Sequence, residues 1–258
     1  MFRAAFFDID GTLLSFKTHQ VSPGTIRAFD ILHSHNILTF ISSGRPPAII
    51  PPMPVSFDGH ITMNGGLVLV SDSIIHRQPI PIEESDRWFT FAKQNNLCTM
   101  CFTENDMFVT QPNDIGIAIR NQLEFPMPPT LPIDQLFGQQ AYQLIAVMPP
   151  SMDDEVKRLL PNLRLPRWHP LFTDVIRKDC SKAVGIDKIC HHFNIDKLQV
   201  LAFGDGGNDI EMLQHCGLGI AMGNASDQVK LNADLVTTSV DDEGILNAIL
   251  DLEKQHLL

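Results

Sequence analysis

Two aspartates, Asp8 and Asp10, stand two residues apart where the apolar run Ala4–Phe7 gives way to Gly11 and Thr12. Three more polar groups stand in comparable places. Ser43, Gly44 and Arg45 close the run "LTFIS", Lys182 opens a helical stretch, and Asp205, Asn208 and Asp209 lie in "GDGGND" after "QVLAF". Together they supply carboxylates, one lysine, a hydroxyl beside a glycine turn, and an amide. Converging carboxylates repel each other and require a bound cation or protonation. An all-oxygen set favours a hard ion such as Mg²⁺, which binds through one or two carboxylates and keeps water or phosphate oxygens. Ionised Asp8 is then a nucleophile toward phosphorus. Asp10 is placed to protonate a leaving oxygen and later to deprotonate water. Lys182, the cation and the donors near Ser43 and Gly44 suit the charge that spreads over phosphoryl oxygens.

Each of these features has a plainer reading. A D-x-D is commonly a turn or a cap, "SSGR" an ordinary strand-to-helix turn, a single lysine a solvated side chain, and "GDGGND" a glycine-rich turn. Their order along the chain, each at an expected strand end or helix start, argues against coincidence. "DIDGTL" is not a calcium loop, because its glycine is fourth and its twelfth residue is His19 rather than Glu. "GDGGND" lacks the G-x-G-x-x-G spacing of dinucleotide sites. Arg45 is a candidate substrate contact or one half of a structural ion pair.

The elements that must position these groups follow from hydrophobic patterning. "AAFFDI" reads as a strand. Residues 22–36 read as a helix with Ser22 as N-cap and Pro23 in the first turn; Ile26, Phe29, Ile31 and Leu32 form its apolar face. "ILTFISSG" is a second fully apolar strand. Continuous apolar strands between helices indicate a parallel sheet covered on both faces, whose ligands sit at the carboxyl ends of its strands. "GHITMNGG", "LVLVS" and "SIIHRQPI" are shorter strands. The character changes from about Pro79 to Lys178, a stretch holding most of the 18 prolines. There, "EESDRWFTFAKQNN" is a helix, "CTMCFTEN" and "MFVTQP" a hairpin, "AYQLIAVMP" a strand, "SMDDEVKRLLPNL" a helix and "LFTDVIRK" a strand. The chain then resumes its first pattern: helix "SKAVGIDKICHHFN", strand "QVLAFGD", helix "DIEMLQHC", strand "GLGIAMG", helix "ASDQVKLNA", "DLVTTS" and a last helix from about Asp242.

Composition narrows the function classes. The 258 residues are 44% hydrophobic and 19% charged, with net charge −11. That charge disfavours nucleic acid and anionic membrane as partners, but not a small phosphorylated metabolite held by a few placed donors. No run approaches the length of a membrane helix and no signal peptide is evident, so a cytoplasmic protein is expected. Five cysteines at irregular spacing give no disulfide framework. Cys98 and Cys101 lack the second pair a zinc site wants. His191 and His192 read as helix-surface residues, and Trp88, Trp168 and Tyr142 as core.

The motifs "FFDIDGTLLSF", "SSGRP", "ITMNGG", "KAVGIDKI" and "AFGDGGNDIEML...GLGIAMGNA...ADLVT" resemble the haloacid dehalogenase superfamily, in its Cof-type branch with an inserted class IIB cap. The resemblance spans essentially the whole chain and is close to the bacterial sugar-phosphate phosphatases of that branch. It implies an α/β fold: a Rossmann-like parallel-sheet core over 1–82 and 179–258, with an α+β cap at 83–178. It also implies roles. Asp8 matches the nucleophile and Asp10 the general acid/base. Ser43, with Gly44 beside it, matches the phosphoryl-binding hydroxyl, Lys182 the lysine of the third motif, and Asn208 a phosphate contact. Asp205 matches the acidic Mg²⁺ ligand, with Asp8 and the Asp10 backbone carbonyl completing the metal set and Asp209 supporting it. Ser43 replaces the commoner threonine, and Ala183 follows Lys182 where glycine is usual.

The expected activity is Mg²⁺-dependent hydrolysis of small phosphomonoesters, with hexose phosphates foremost, by a monomer or weak homo-oligomer. A phosphomutase would use the same aspartyl phosphate but return the group to another hydroxyl. A non-catalytic phosphate-sensing module would need no Asp10.

Overall fold

In a computed structural model of the chain, Ala4–Phe7 forms strand β1, buried at every position. The structure describes every residue except 72, 111–116, 118–127 and 168. Strand β1 pairs in parallel with β2 (Leu38–Ser42) on one side and β11 (Val200–Gly204) on the other. The sheet continues outward as β12 (Leu218–Ala221) and β13 (Leu235–Val236) on one flank. On the other flank come β3 (Gly59–Thr62), parallel to β2, then the antiparallel β4 (Leu67–Val70) and β5 (Ser73–Arg77). The result is a mixed α/β arrangement dominated by a parallel central sheet.

The strands are apolar throughout because both faces are covered. Phe6 stacks on Phe40 at 4.8 Å between ring centroids, in a cluster with Ile186 and Ile189 of helix α4 (Lys182–Phe193). Phe7 points to the opposite face, stacking on Phe203 at 5.0 Å and meeting Phe29 of α1 (Pro23–Ser34) at 4.9 Å. Each such ring contributes roughly 1.5–3 kcal/mol by burial. Helix α1 begins as its sequence indicates, with Pro23 in the first turn and the Ser22 hydroxyl accepting from the Thr25 N–H at 3.0 Å.

The chain divides into two compact units, one of residues 1–45, 51–77 and 181–258, the other of residues 46–50 and 78–180. The second is built on an antiparallel sheet in the order β7-β6-β8-β10-β9, comprising β6 (Cys98–Phe102), β7 (Met107–Val109), β8 (Gln143–Val147), β9 (Leu163–Arg164) and β10 (Thr173–Arg177). Helices α2 (Ile82–Gln94) and α3 (Asp153–Leu159) belong to it. Trp88 and Tyr142 are core residues, the Trp88 indole donating to the Thr99 hydroxyl at 2.9 Å. Trp168 and the end of "MFVTQP" lie outside the described residues.

Several elements are shorter than their patterning indicates. Helix α3 stops at Leu159 rather than reaching Leu163, because Pro161 disfavours helical backbone at the residue before it. Leu163 and Arg164 instead pair with β10. The stretch "ASDQVKLNA" yields only α6 (Asp227–Lys230), after α5 (Ile210–His215), and the last helix, α7, runs from Gly244 to Lys254. All five cysteines are free and buried, and burial pushes the Cys101 thiol up to about 12. No described helix is long and apolar enough to cross a membrane.

Candidate active site

The carboxyl ends of β1, β2 and β11 lie side by side, Phe7 being in register with Ile41 and with Phe203. Asp8, Ser43 and Asp205 are therefore neighbours by construction, each the first residue past its strand. Asp8 is fixed through its backbone N–H, which donates to the Phe203 carbonyl at 3.0 Å. Lys182, the first residue of α4, reaches in from the side. Its side chain is fully buried, and Nζ lies 2.5 Å from Asp8 Oδ1 and 2.5 Å from Asp209 Oδ1. Burial opposes the lysine's charge, but Asp209 and Asp8 outweigh it and hold its pKa above the ordinary value.

Asp205 and Asp209 share the "GDGGND" turn but have different tasks. Asp209 is fully buried and its Oδ2 accepts the N–H groups of Asp205, at 3.0 Å, and Gly206, at 2.8 Å. With Lys182 on Oδ1, Asp209 has its lone pairs directed at the protein, so it shapes the turn. Asp205 stays more open, accepting from the Thr12 hydroxyl at 3.3 Å and the Asn224 amide at 3.1 Å. One carboxylate oxygen from each of Asp8, Asp205 and Asp209 falls within 4.8 Å of the others. Burial, reinforced by Asp209, pushes Asp205 up to about 7, and burial pushes Asp8 well above the usual carboxylate range. Three acids on one lysine leave a local excess of negative charge in a buried place. A divalent, oxygen-seeking cation fits that donor set.

The Asp10 carboxylate is not one of these three, though its charge is felt at Asp205. Arg45 grips the Asp10 carboxylate with two hydrogen bonds, Nε to Oδ2 at 2.9 Å and Nη2 to Oδ1 at 2.7 Å. From Ile9 onward, through Asp10, the chain turns so tightly that the Thr12, Leu13 and Leu14 N–H groups all point back to the Ile9 carbonyl. Gly11, at φ +80, gives the turn its left-handed residue; a Cβ there would stand 2.2 Å from Asp205 Oδ2. Ser43 is buried, its hydroxyl accepting from the Arg45 N–H at 3.1 Å.

Two site residues are missing from the set read off the sequence. Asn64 follows β3 in a run of three left-handed residues, Met63, Asn64 and Gly65, with φ of 49, 54 and 98. Non-glycine residues at such φ are strained and concentrate at functional sites. Asn64 backs Gly44, and its Oδ1 accepts from the Asn208 amide at 3.0 Å, holding the "GDGGND" turn to the second strand end. Asn224 follows β12 and donates both to the Gly11 carbonyl at 2.9 Å and to Asp205. Both lie in motifs quoted above, "ITMNGG" and "GLGIAMGNA", but an asparagine beside glycine reads first as turn chemistry.

Residues 5–249 match the family of haloacid dehalogenase-like hydrolases. YkrA of Bacillus subtilis (strain 168), which carries a provisional phosphatase name, is 34% identical over 257 residues, 96% of each chain. Among solved structures, the subclass IIB sugar phosphatase BT4131 is 36% identical and superposes with a TM-score of 0.89 over 99% of this chain and 100% of that one. The phosphatase BT1666 of Bacteroides thetaiotaomicron is 33% identical with a TM-score of 0.90, over 100% of this chain and 96% of that one. By sequence and by fold, the chain belongs to the haloacid dehalogenase-like hydrolases.

Proposed function

We propose that the protein is a Mg²⁺-dependent phosphatase of small phosphomonoesters, hexose phosphates foremost, working through an aspartyl phosphate on Asp8. The observation that carries the reading is the pairing of Asp8 with buried Lys182 beside two further carboxylates. The family, and the sugar-phosphatase activity named for BT4131, support it. Asp8, Asp205 and the Asp10 carbonyl would hold the Mg²⁺, which supplies positive charge for the phosphoryl oxygens.

In the first half-reaction an Asp8 oxygen bonds to phosphorus while the bond to the leaving oxygen breaks, and Asp10 gives that oxygen its proton. In the second, Asp10 takes a proton from water, the water oxygen bonds to phosphorus and the Asp8–phosphorus bond breaks. Orthophosphate leaves and Asp8 is restored. Lys182 orients Asp8 and offsets phosphoryl charge; Ser43, Gly44 and Asn208 donate to the phosphoryl oxygens. Arg45 holds Asp10 between turnovers and contacts the incoming anion. The first unit carries all the residues named for this chemistry.

The test is phosphate release from hexose, pentose, triose and nucleotide monoesters, in Mg²⁺ and in EDTA, with Asp8→Asn as control. Turnover abolished by either EDTA or Asp8→Asn supports the reading. Phosphate transfer between hydroxyls without net release would indicate a mutase. A phospho-Asp8 stable for minutes would indicate a sensor.

A further inference from the structure

The chemistry of Asp8 and Asp10 makes no use of Phe16, the last residue of "FFDIDGTLLSF". Ile9, Leu13 and Leu14 of the same stretch are buried, whereas Phe16 is left 61% exposed. A single exposed apolar side chain is ordinary on a protein surface. Phe16 differs in where it stands and in how it is held.

It stands beside the carboxylates. A Cβ on Gly11 would lie 2.2 Å from Asp205 Oδ2 and 2.5 Å from Phe16 Cε2. The ring and the Asp205 carboxylate therefore meet over one glycine, the residue next in the chain to Asp10. An aromatic ring is positive at its edge and negative on its faces, so the edge is the part that suits a carboxylate neighbour. The exposure leaves the rest of the ring to solvent.

The turn that carries Phe16 is closed on Ser15. The buried Ser15 hydroxyl donates to Asp241 Oδ1 at 2.6 Å and accepts from the N–H groups of Lys17 and Thr18 at 3.0 and 3.3 Å. The Ser15 carbonyl accepts from the His19 N–H at 2.9 Å. Lys17 adds an ion pair to Asp241 at 2.6 Å, exposed and so worth little. A turn tied on both sides of its tip presents the ring in a set place. Contact with a preorganised group sacrifices less freedom than contact with a mobile one.

We propose that Phe16 is a specificity-determining residue, its ring taking the apolar face of a ring-shaped leaving group such as the C–H face of a pyranose. The inference rests on the phosphatase reading, in which the leaving oxygen meets Asp10 and the skeleton beyond it passes the Gly11 turn. An acyclic leaving group offers no such face and gains little from the ring.

The experiment uses the full chain, Phe16→Ala and Phe16→Trp, all in Mg²⁺. Calorimetry compares two phosphonates that cannot be hydrolysed, cyclohexylmethylphosphonate and methylphosphonate. The wild type should bind the ring-bearing one tighter by about tenfold or more, or about 1.4 kcal/mol. Phe16→Ala should lose most of that difference, and Phe16→Trp should keep it. In kinetics, the ratio of kcat/KM for a hexose phosphate to that for glycerol phosphate should fall about tenfold in Phe16→Ala, the same 1.4 kcal/mol, and recover in Phe16→Trp. Binding needs no turnover, so the two readings fail separately: absence of phosphate release in the wild type counts against the phosphatase, and the phosphonate contrast decides on Phe16. A wild type without preference between the phosphonates overturns the proposal. So does a Phe16→Ala that keeps the preference or weakens both ligands equally.

Discussion

At the scale of single residues, the site depends on how each carboxylate spends its lone pairs. Asp209 resembles a metal ligand in sequence and lies in the carboxylate cluster, yet its oxygens already accept from two backbone amides and from Lys182. Asp209→Asn offers one acceptor oxygen where three donors need two. Either Lys182 or the turn amides then face an NH₂ group. The loss is softened because one of three mutually repelling charges is gone. Removing one partner of a buried pair costs about 3–5 kcal/mol; with that relief, about 2–3 kcal/mol of stability should be lost, read from urea unfolding. A variant as stable as the wild type would mean that Asp209 is held for the metal rather than for the turn. Arg45→Ala tests the other pairing. Without its fork, Asp10 is free to rotate, and the half-reactions that need its proton should slow together while Asp8 remains reactive. An unchanged kcat with a raised KM would assign Arg45 to substrate binding alone.

At the scale of elements, the turns matter more than the strands. Gly11 and Gly207 both sit in loops that shape the site, but only Gly11 has positive φ and a carboxylate where a Cβ would go. Gly11→Ala must take a conformation costing about 1–2 kcal/mol and must push Asp205 aside. Disturbing a ligand's supports typically costs about 10–100-fold in metal affinity. Mg²⁺ activation should therefore weaken by that factor in Gly11→Ala and stay nearly unchanged in Gly207→Ala, where nothing lies within 4 Å. Equal responses would show that the loop absorbs the methyl group. The same contrast explains what was legible in the sequence. Asp8, Ser43 and Asp205 could be placed because the apolar runs before them can only be strands of a doubly covered sheet. Asn64 and Asn224 could not, since their partners lie 144 and 213 residues away in the chain. Short asparagine-rich turns carry no periodicity from which such pairing can be inferred. The sequence pattern outruns two helices for a related reason: α3 and α6 keep an amphipathic pattern past the point where Pro161 or the local turns end them.

At the scale of the whole molecule, the buried acids couple stability to pH and to the cation. Asp205 titrates near 7 in the folded, metal-free protein because burial, then Asp209, disfavours its charge; in the unfolded chain it titrates near 4. Between those values the folded state holds a proton that the unfolded state has released. Stability in EDTA therefore falls as pH rises from about 4 to about 7 and is lowest above it. Asp8, pushed in the same direction by burial, adds to the effect. Asp179 and Asp241 are shifted downward, so their contributions change only at more acidic pH. A bound divalent cation favours the ionised acids, and at a hundredfold excess over its Kd it adds about 2.7 kcal/mol. Thermal melts across pH 5 to 8 should show the Tm declining in EDTA, with the Mg²⁺-induced rise growing over the same interval. General repulsion in a chain of charge −11 acts in the same sense, so Asp205→Asn serves as the control. If the buried carboxylate is the cause, that variant flattens the decline and shrinks the Mg²⁺ increment. If the slope is the same without Asp205, the pH dependence belongs to the surface, and the three acids beside Lys182 are less burdened by their charge than their burial implies.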